Sequence, residues 1–223
     1  MKNVILAATV VGALCGTVNA AEVSGTVGFT SDYRFRGISQ TGGDPALQGS
    51  LDVAFDNGVY AGLWGSNIDY GDDAHLELDY YIGHSASISD ELEYDASIVY
   101  YQYPGDDADS NYAEVFLGLN YKSFSFLYAI ANDAEDSSLY GQYVALDYSN
   151  DVSEVISLNL HAGYSFGDAF EPDEEYSDYS IGISGSFQGL DLAADYITTD
   201  ADTVSSGIER NDDTIVFSVS RSF

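Results

Sequence analysis

Apolar and polar residues alternate along most of this chain. Between residues 23 and 36, Val23, Gly25, Val27, Phe29, Ser31, Tyr33 and Phe35 share one phase. Ser24, Thr26, Gly28, Thr30, Asp32, Arg34 and Arg36 share the other. A period of two predicts a strand with one face turned to an apolar medium. Residues 46–55 repeat the pattern, with Leu47, Leu51, Val53 and Phe55 opposite Gln48, Ser50 and Asp52. Asp56-Asn57-Gly58 then marks a tight hairpin. The run 59–70 starts apolar on both phases, and Tyr60, Trp64, Ile68 and Tyr70 fall together on one of them.

The alternation continues in 76–86, 92–103, 112–121, 124–131, 139–148, 155–166, 176–187, 190–199 and 213–223, so twelve strands are expected. Their connections alternate too. DNG, SISDE, Lys122-Ser123, SNDVS and Gln188-Gly189 are short, whereas GISQTGGDP, GDDA, PGDDADS, NDAEDS, GDAFEPDEE and ADTVSSGIERND are mostly longer and often acidic. Short turns at one end and long loops at the other are the organisation of an outer-membrane barrel. No segment carries a helical period. The expected fold is all-β: a transmembrane antiparallel up-and-down barrel of twelve strands, forming a single domain over residues 21–223.

A soluble sandwich or barrel would alternate as well, and it stays open as an alternative. Three features favour the membrane. Tyrosines recur near strand ends (Tyr33, Tyr70, Tyr80, Tyr100, Tyr121, Tyr148), as an interfacial aromatic girdle requires. The strands run to about 10 residues, the length that spans a bilayer, against 5–6 in soluble sheets. The chain ends on an outward-phased strand whose last residue is Phe223, the kind of signature read by the barrel-assembly machinery, although Arg221 departs from its apolar pattern. In lipid every backbone N–H and C=O needs an internal partner, which forces a β protein to close on itself.

Composition sharpens this picture. Lys2, the apolar run 4–16 and Val18-Asn19-Ala20 read as a secretory signal, with cleavage after residue 20. Cleavage removes the single cysteine, so no disulfide scaffold is expected. The chain carries 37 Asp+Glu against 6 Lys+Arg, a formal net charge of −31. That balance argues against nucleic-acid binding. Its 19 tyrosines and 11 phenylalanines argue against disorder. No phosphate loop, CxxC or GxGxxG is present, and no cofactor or metal site is expected. The acidic loop residues (Asp72, Asp73, Asp106, Asp107, Asp109, Asp133, Glu135, Asp136, Asp173, Glu174, Glu175) read as solvated surface or as a bridge through divalent ions to lipopolysaccharide phosphates. His161 lies on one polar phase with Asn159 and Ser157, but neighbours two apart on a strand are about 7 Å apart. That is too far for a Ser–His pair, and an enzyme is not expected.

At SDYRFRGISQT (31–41) the chain resembles the TorF-family porins of proteobacterial outer membranes, and GVYAGLWGSNID (58–69), ELDYYIGH (77–84) and FSVSRSF (217–223) extend the likeness. The resemblance implies an outer-membrane barrel of a Gram-negative bacterium with a transport role, and no particular substrate.

If strand 1 runs outward through residue 36, Arg34 and Arg36 lie at its outer end facing the lumen, with Asp32 on the same phase and Tyr33 and Phe35 facing lipid. Asp69, Glu77, Asp79, Tyr101, Tyr103 and Glu114 are then expected on the lumen wall at similar height. Two arginines facing carboxylates across a narrow passage would form a constriction in an acidic, cation-favouring pore for small hydrophilic solutes or ions. The alternatives are that the arginines merely brace the wall, and that the barrel is plugged and serves a structural or adhesion role.

Overall fold

The computed structural model of the protein describes residues 21–71, 73–106, 110–132, 139–170, 175–201 and 211–223. The expected signal segment, residues 1–20, lies outside these, as do Asp72, Asp107, Asp109, Asp133, Glu135, Asp136, Asp173 and Glu174 of the acidic loops. Twelve strands close a barrel: β1 Glu22–Thr30, β2 Ala46–Ala54, β3 Val59–Asn67, β4 Leu76–Ser87, β5 Leu92–Gln102, β6 Tyr112–Tyr121, β7 Phe124–Asn132, β8 Tyr140–Asp151, β9 Ser157–Phe166, β10 Tyr176–Phe187, β11 Leu190–Thr199 and β12 Thr214–Ser222. Each strand pairs antiparallel with its sequence neighbours, and β12 returns to pair with β1. The terminal residue completes that seam, because Phe223 and Gly25 exchange both backbone hydrogen bonds at 3.0 Å. Among the described residues the barrel sheet has no open edge, which satisfies its backbone as an apolar surround demands.

The alternation sorts side chains as expected. Phe29, Leu47, Leu51, Ile82, Leu117, Ile181 and Phe217 stand exposed on the outside. The short turns form from the residues that suggested them. Gly58 takes φ +86 after Asp56-Asn57, and Gln188-Gly189 take φ +53 and +79, the two positive values of a two-residue type I′ hairpin. Ile181 sits mid-strand, flanked in register by the outward Leu160 and Tyr196. Ile181→Arg is expected to destabilise the barrel in lipid by about 2–4 kcal/mol. Guanidinium unfolding in vesicles measures it, and an unchanged midpoint would refute a lipid-facing Ile181.

One segment departs from the sequence expectation. β1 ends at Thr30, and residues 31–45 do not continue it as wall. Arg34–Phe35 and Ile38–Ser39 pair as a second, two-stranded sheet, in register Arg34↔Ser39 and Phe35↔Ile38. Arg36 and Gly37 form its tip with φ +48 and +78, again the two positive values of a type I′ turn. The stretch YRFR does alternate as a strand, but the strand belongs to a tight hairpin folded into the barrel. Tyr33 and Phe35 therefore do not face lipid. Tyr33 is buried with Ala46, Ile68 and Ala74, and Phe35 packs against the same cluster.

Candidate functional site

The inward hairpin is built on Asp32. This carboxylate is 5% exposed and takes the Arg34 Nε at 2.5 Å, the Ser39 hydroxyl at 2.5 Å and the Thr41 hydroxyl at 3.3 Å. Arg34 also donates Nη1 to the Gly37 carbonyl at 3.0 Å, tying the tip to the base. The backbone of the loop is satisfied locally: Gln40 N reaches the Tyr33 carbonyl at 2.7 Å and Gly43 N reaches the Ser39 hydroxyl at 2.9 Å. The far side is anchored to the end of β3, where Asp69 N donates to the Gln40 carbonyl and Tyr70 Oη to Gln40 Oε1. Tyr33 meets Trp64 edge-on with ring centroids 5.4 Å apart.

The tip crosses the lumen. Arg36 donates Nη2 to Glu114 Oε1 on β6 at 2.6 Å, and the guanidinium lies over the Tyr143 ring of β8 at 4.3 Å and its own neighbour Phe35 at 4.7 Å. Glu114 is 1% exposed, and its second oxygen takes the Tyr101 hydroxyl at 3.3 Å. Phe35 packs on Tyr101 of β5, centroids 6.2 Å apart. Gly37 lies against β10 and β11: a Cβ there would come within 2.8 Å of Asp178 Cβ and 2.9 Å of Thr199 Cβ. A segment rooted in β1 thus touches the opposite wall of a twelve-strand ring. A non-glycine residue in left-handed conformation is uncommon, and the Arg36 ion pair and its two ring contacts offset that cost.

Two further groups line the wall. On β8–β10, His161 is held between carboxylates, Nδ1 to Asp147 at 2.6 Å and Nε2 to Asp178 at 2.8 Å, with the Tyr143 hydroxyl 3.0 Å from Nε2. Both ring nitrogens therefore meet carboxylates, and the cluster sets an imidazole between two acids near the tip. Both ring nitrogens being taken, and Ser157 donating to Asp151 at 2.7 Å, no Ser–His pair forms here. On β2–β5, inward tyrosines lie flat on the wall over glycines. Tyr81 covers Gly62 and donates to Asp52, and Tyr60 covers Gly83 and donates to Asp95. Tyr143 covers Gly163 in the same way on its route to Asp178. Side chains that would otherwise cross the lumen follow its wall instead.

The predicted residues are placed as follows. Asp32, Arg34 and Arg36 are in the lumen, on the hairpin rather than on the wall. Glu77, Asp79, Tyr101 and Glu114 sit on inward positions of β4, β5 and β6, and Tyr103, just past β5, donates to Glu77 Oε1 at 3.2 Å. Asp69 does not join them. It stands exposed beyond β3, its carboxylate accepting from Gly71 N at 2.9 Å, because the aromatic phase of β3 turns inward instead. Trp64, Tyr143, Asp147, His161 and Asp178 are the residues the sequence reading left out of the site. The pair Asp147↔His161 follows from the β8–β9 register once its turn is counted back, so part of that cluster was accessible to pattern reasoning. Beyond the tip, towards the long loops, Arg36, Tyr70, Tyr103, Tyr112, Glu114 and Phe170 line a cavity of about 450 Å³.

A family model described as a bacterial protein of unknown function, Gcw_chp, matches residues 15–223. No curated protein matches the chain. Among solved structures, the NanC porin in a rhombohedral crystal form aligns with a TM-score of 0.60 at 11% identity, over 91% of this chain and 99% of that one. The KdgM porin in complex with disordered oligogalacturonate aligns with a TM-score of 0.55 at 6% identity, over 92% and 98%. At such identities the likeness is one of fold, a porin-like barrel. The matching family model carries the name Gcw_chp, and the TorF resemblance rests on the residues quoted for it alone.

Proposed function

The chain belongs to the Gcw_chp family of bacterial proteins, and from that premise we propose that it is an outer-membrane channel of porin type for small hydrophilic solutes or ions. The observation that carries this reading is the opposition of its two faces: an apolar outside around a lumen set with Asp52, Glu77, Asp79, Asp95 and Asp178. Lumenal carboxylates outnumber the cations, and two of those cations, Arg34 and Arg36, are paired to acids. Such a passage favours cations. A polyanion of the kind named in the KdgM complex would meet repulsion here. The hairpin supplies the constriction, with Arg36 and Glu114 at its narrowest contact. Segment 1–20 acts as the export signal, the strand ending at Phe223 engages the barrel-assembly machinery, and lipid and lipopolysaccharide surround the barrel.

The hairpin's reach across the lumen favours a second reading, a plugged barrel with a structural role. Planar-bilayer recording of the purified protein separates the two. The channel reading expects discrete conductance steps with a cation-favouring reversal potential in a salt gradient. A barrel that is folded by heat-modifiable gel mobility yet never conducts would reject the channel and leave the plug.

A further inference from the structure

Glu77 and Asp79 occupy successive inward positions on β4. Glu77 is 3% exposed; its Oε1 takes the Tyr103 hydroxyl, while its Oε2 is buried and has no hydrogen-bond partner among the described residues. Asp79 Oδ1 is likewise buried and unpartnered. The lumenal arginines pair elsewhere, Arg34 with Asp32 and Arg36 with Glu114. Two neighbouring carboxylates removed from water, each presenting an unused oxygen, are uncompensated negative charge in a low-dielectric setting. Two ways remain to neutralise such a pair: a shared proton, or a cation held between the oxygens.

We propose that Glu77 and Asp79, with the Tyr103 phenol oxygen beside them, form a binding station for a hard, oxygen-seeking cation on the lumen wall behind the hairpin. An all-oxygen donor set suits an alkali or alkaline-earth ion rather than a thiophilic metal. Among the described residues no group of three metal-ligating side chains converges. The station therefore suits an ion in passage, not a structural metal centre. This deepens the channel reading, on which it rests for its physiological role, by naming where the passing cation pauses.

Trp64 makes the station testable. It is the single tryptophan, it stands directly opposite Asp79 in the β3–β4 register, and it packs on Tyr33. Side chains so paired lie within about 5.5 Å at Cβ, inside the range of energy transfer to a bound lanthanide. The probe is Tb³⁺ added to the purified full-length barrel in detergent, with excitation at the red edge of the tryptophan band, where tyrosine is silent. Saturable sensitised emission is expected. Glu77→Gln with Asp79→Asn should require at least about tenfold more Tb³⁺, whereas Asp73→Asn on the exposed loop should change nothing. If the double variant loses heat-modifiable mobility, Asp79→Asn alone carries the test. An unchanged titration in the folded variant would mean that the acids share a proton, and would overturn the proposal. So would loss of the signal in Asp73→Asn. Binding is read whether or not the barrel conducts, so a failed station and a failed channel give different results.

Discussion

Arg36→Ala is expected to unseat the hairpin and raise single-channel conductance, with selectivity moving further towards cations. The Arg36 side chain is 16% exposed and its partner Glu114 is 1% exposed. Removing one member of a buried pair costs about 3–5 kcal/mol, because the other charge is left behind. The Tyr101 hydroxyl at 3.3 Å is then the remaining hydrogen bond to Glu114. A loss of that size moves a seated-to-unseated equilibrium by about two orders of magnitude or more. The sign of the selectivity change follows from charge: a cation leaves the narrowest contact and a carboxylate stays. Arg36→Lys should fall between, since it keeps the charge but not the planar stack over Tyr143 and Phe35. Bilayer recordings of both variants and of Arg34→Ala/Arg36→Ala decide it. Conductance and reversal potential identical to the parent protein would remove the constriction and leave the arginines as braces.

Asp32→Ala is the second large effect, and it acts on the hairpin's fold rather than its latch. Asp32 and Arg34 have side chains only 6% and 7% exposed, and the same carboxylate organises Ser39 and Thr41. Its loss removes the Arg34 ion pair and the Ser39 acceptor, while Arg34 keeps the Gly37 carbonyl and Thr41 the Asp44 carbonyl, a cost of up to about 3–5 kcal/mol. Tyr33 and Phe35 keep their apolar contacts with the wall, but the polar base of the hairpin is lost, so it should loosen while the barrel, paired strand to strand, persists. Trp64 reports this directly, because Tyr33 packs against its ring. A red-shifted, more quenchable Trp64 emission with retained heat-modifiable mobility is the expected outcome. Asp32→Asn keeps an acceptor and should shift less. Emission matching the parent protein would show that the hairpin is held from elsewhere, by Gln40 and Tyr70.

Much of the barrel could be read before any coordinates. Segments such as 23–30 and 214–220 alternate clearly, and an apolar surround disfavours a polar phase on its side, so facing and strand number follow from the pattern. The alternation of short and long connections gave the two ends. Strand β3 was less legible. Val59, Tyr60, Ala61, Leu63 and Trp64 are apolar on both phases, and only packing against Tyr33 turned the Trp64 phase inward. That choice also sent Asp69 to the surface.

The stretch SDYRFRG (31–37) marks the limit of the periodicity. Its alternation anticipated the extended pair Arg34–Phe35 and two arginines amid acids, but not the left-handed turn at Arg36. Period two is the same in a wall strand and in an inward hairpin, so the pattern could not say which sheet the segment joins. The Asp32 carboxylate decided that from within the loop, and the Arg36-Gly37 turn decided it through neighbours 78 to 162 residues away in sequence, at Glu114, Tyr143, Asp178 and Thr199. A closed twelve-strand antiparallel barrel was legible in the chain, because burial against an apolar surround acts on each strand independently. The tertiary structure alone decided what stands in the lumen, because a charge in a pore is placed by its partners on other strands rather than by its neighbours in the chain.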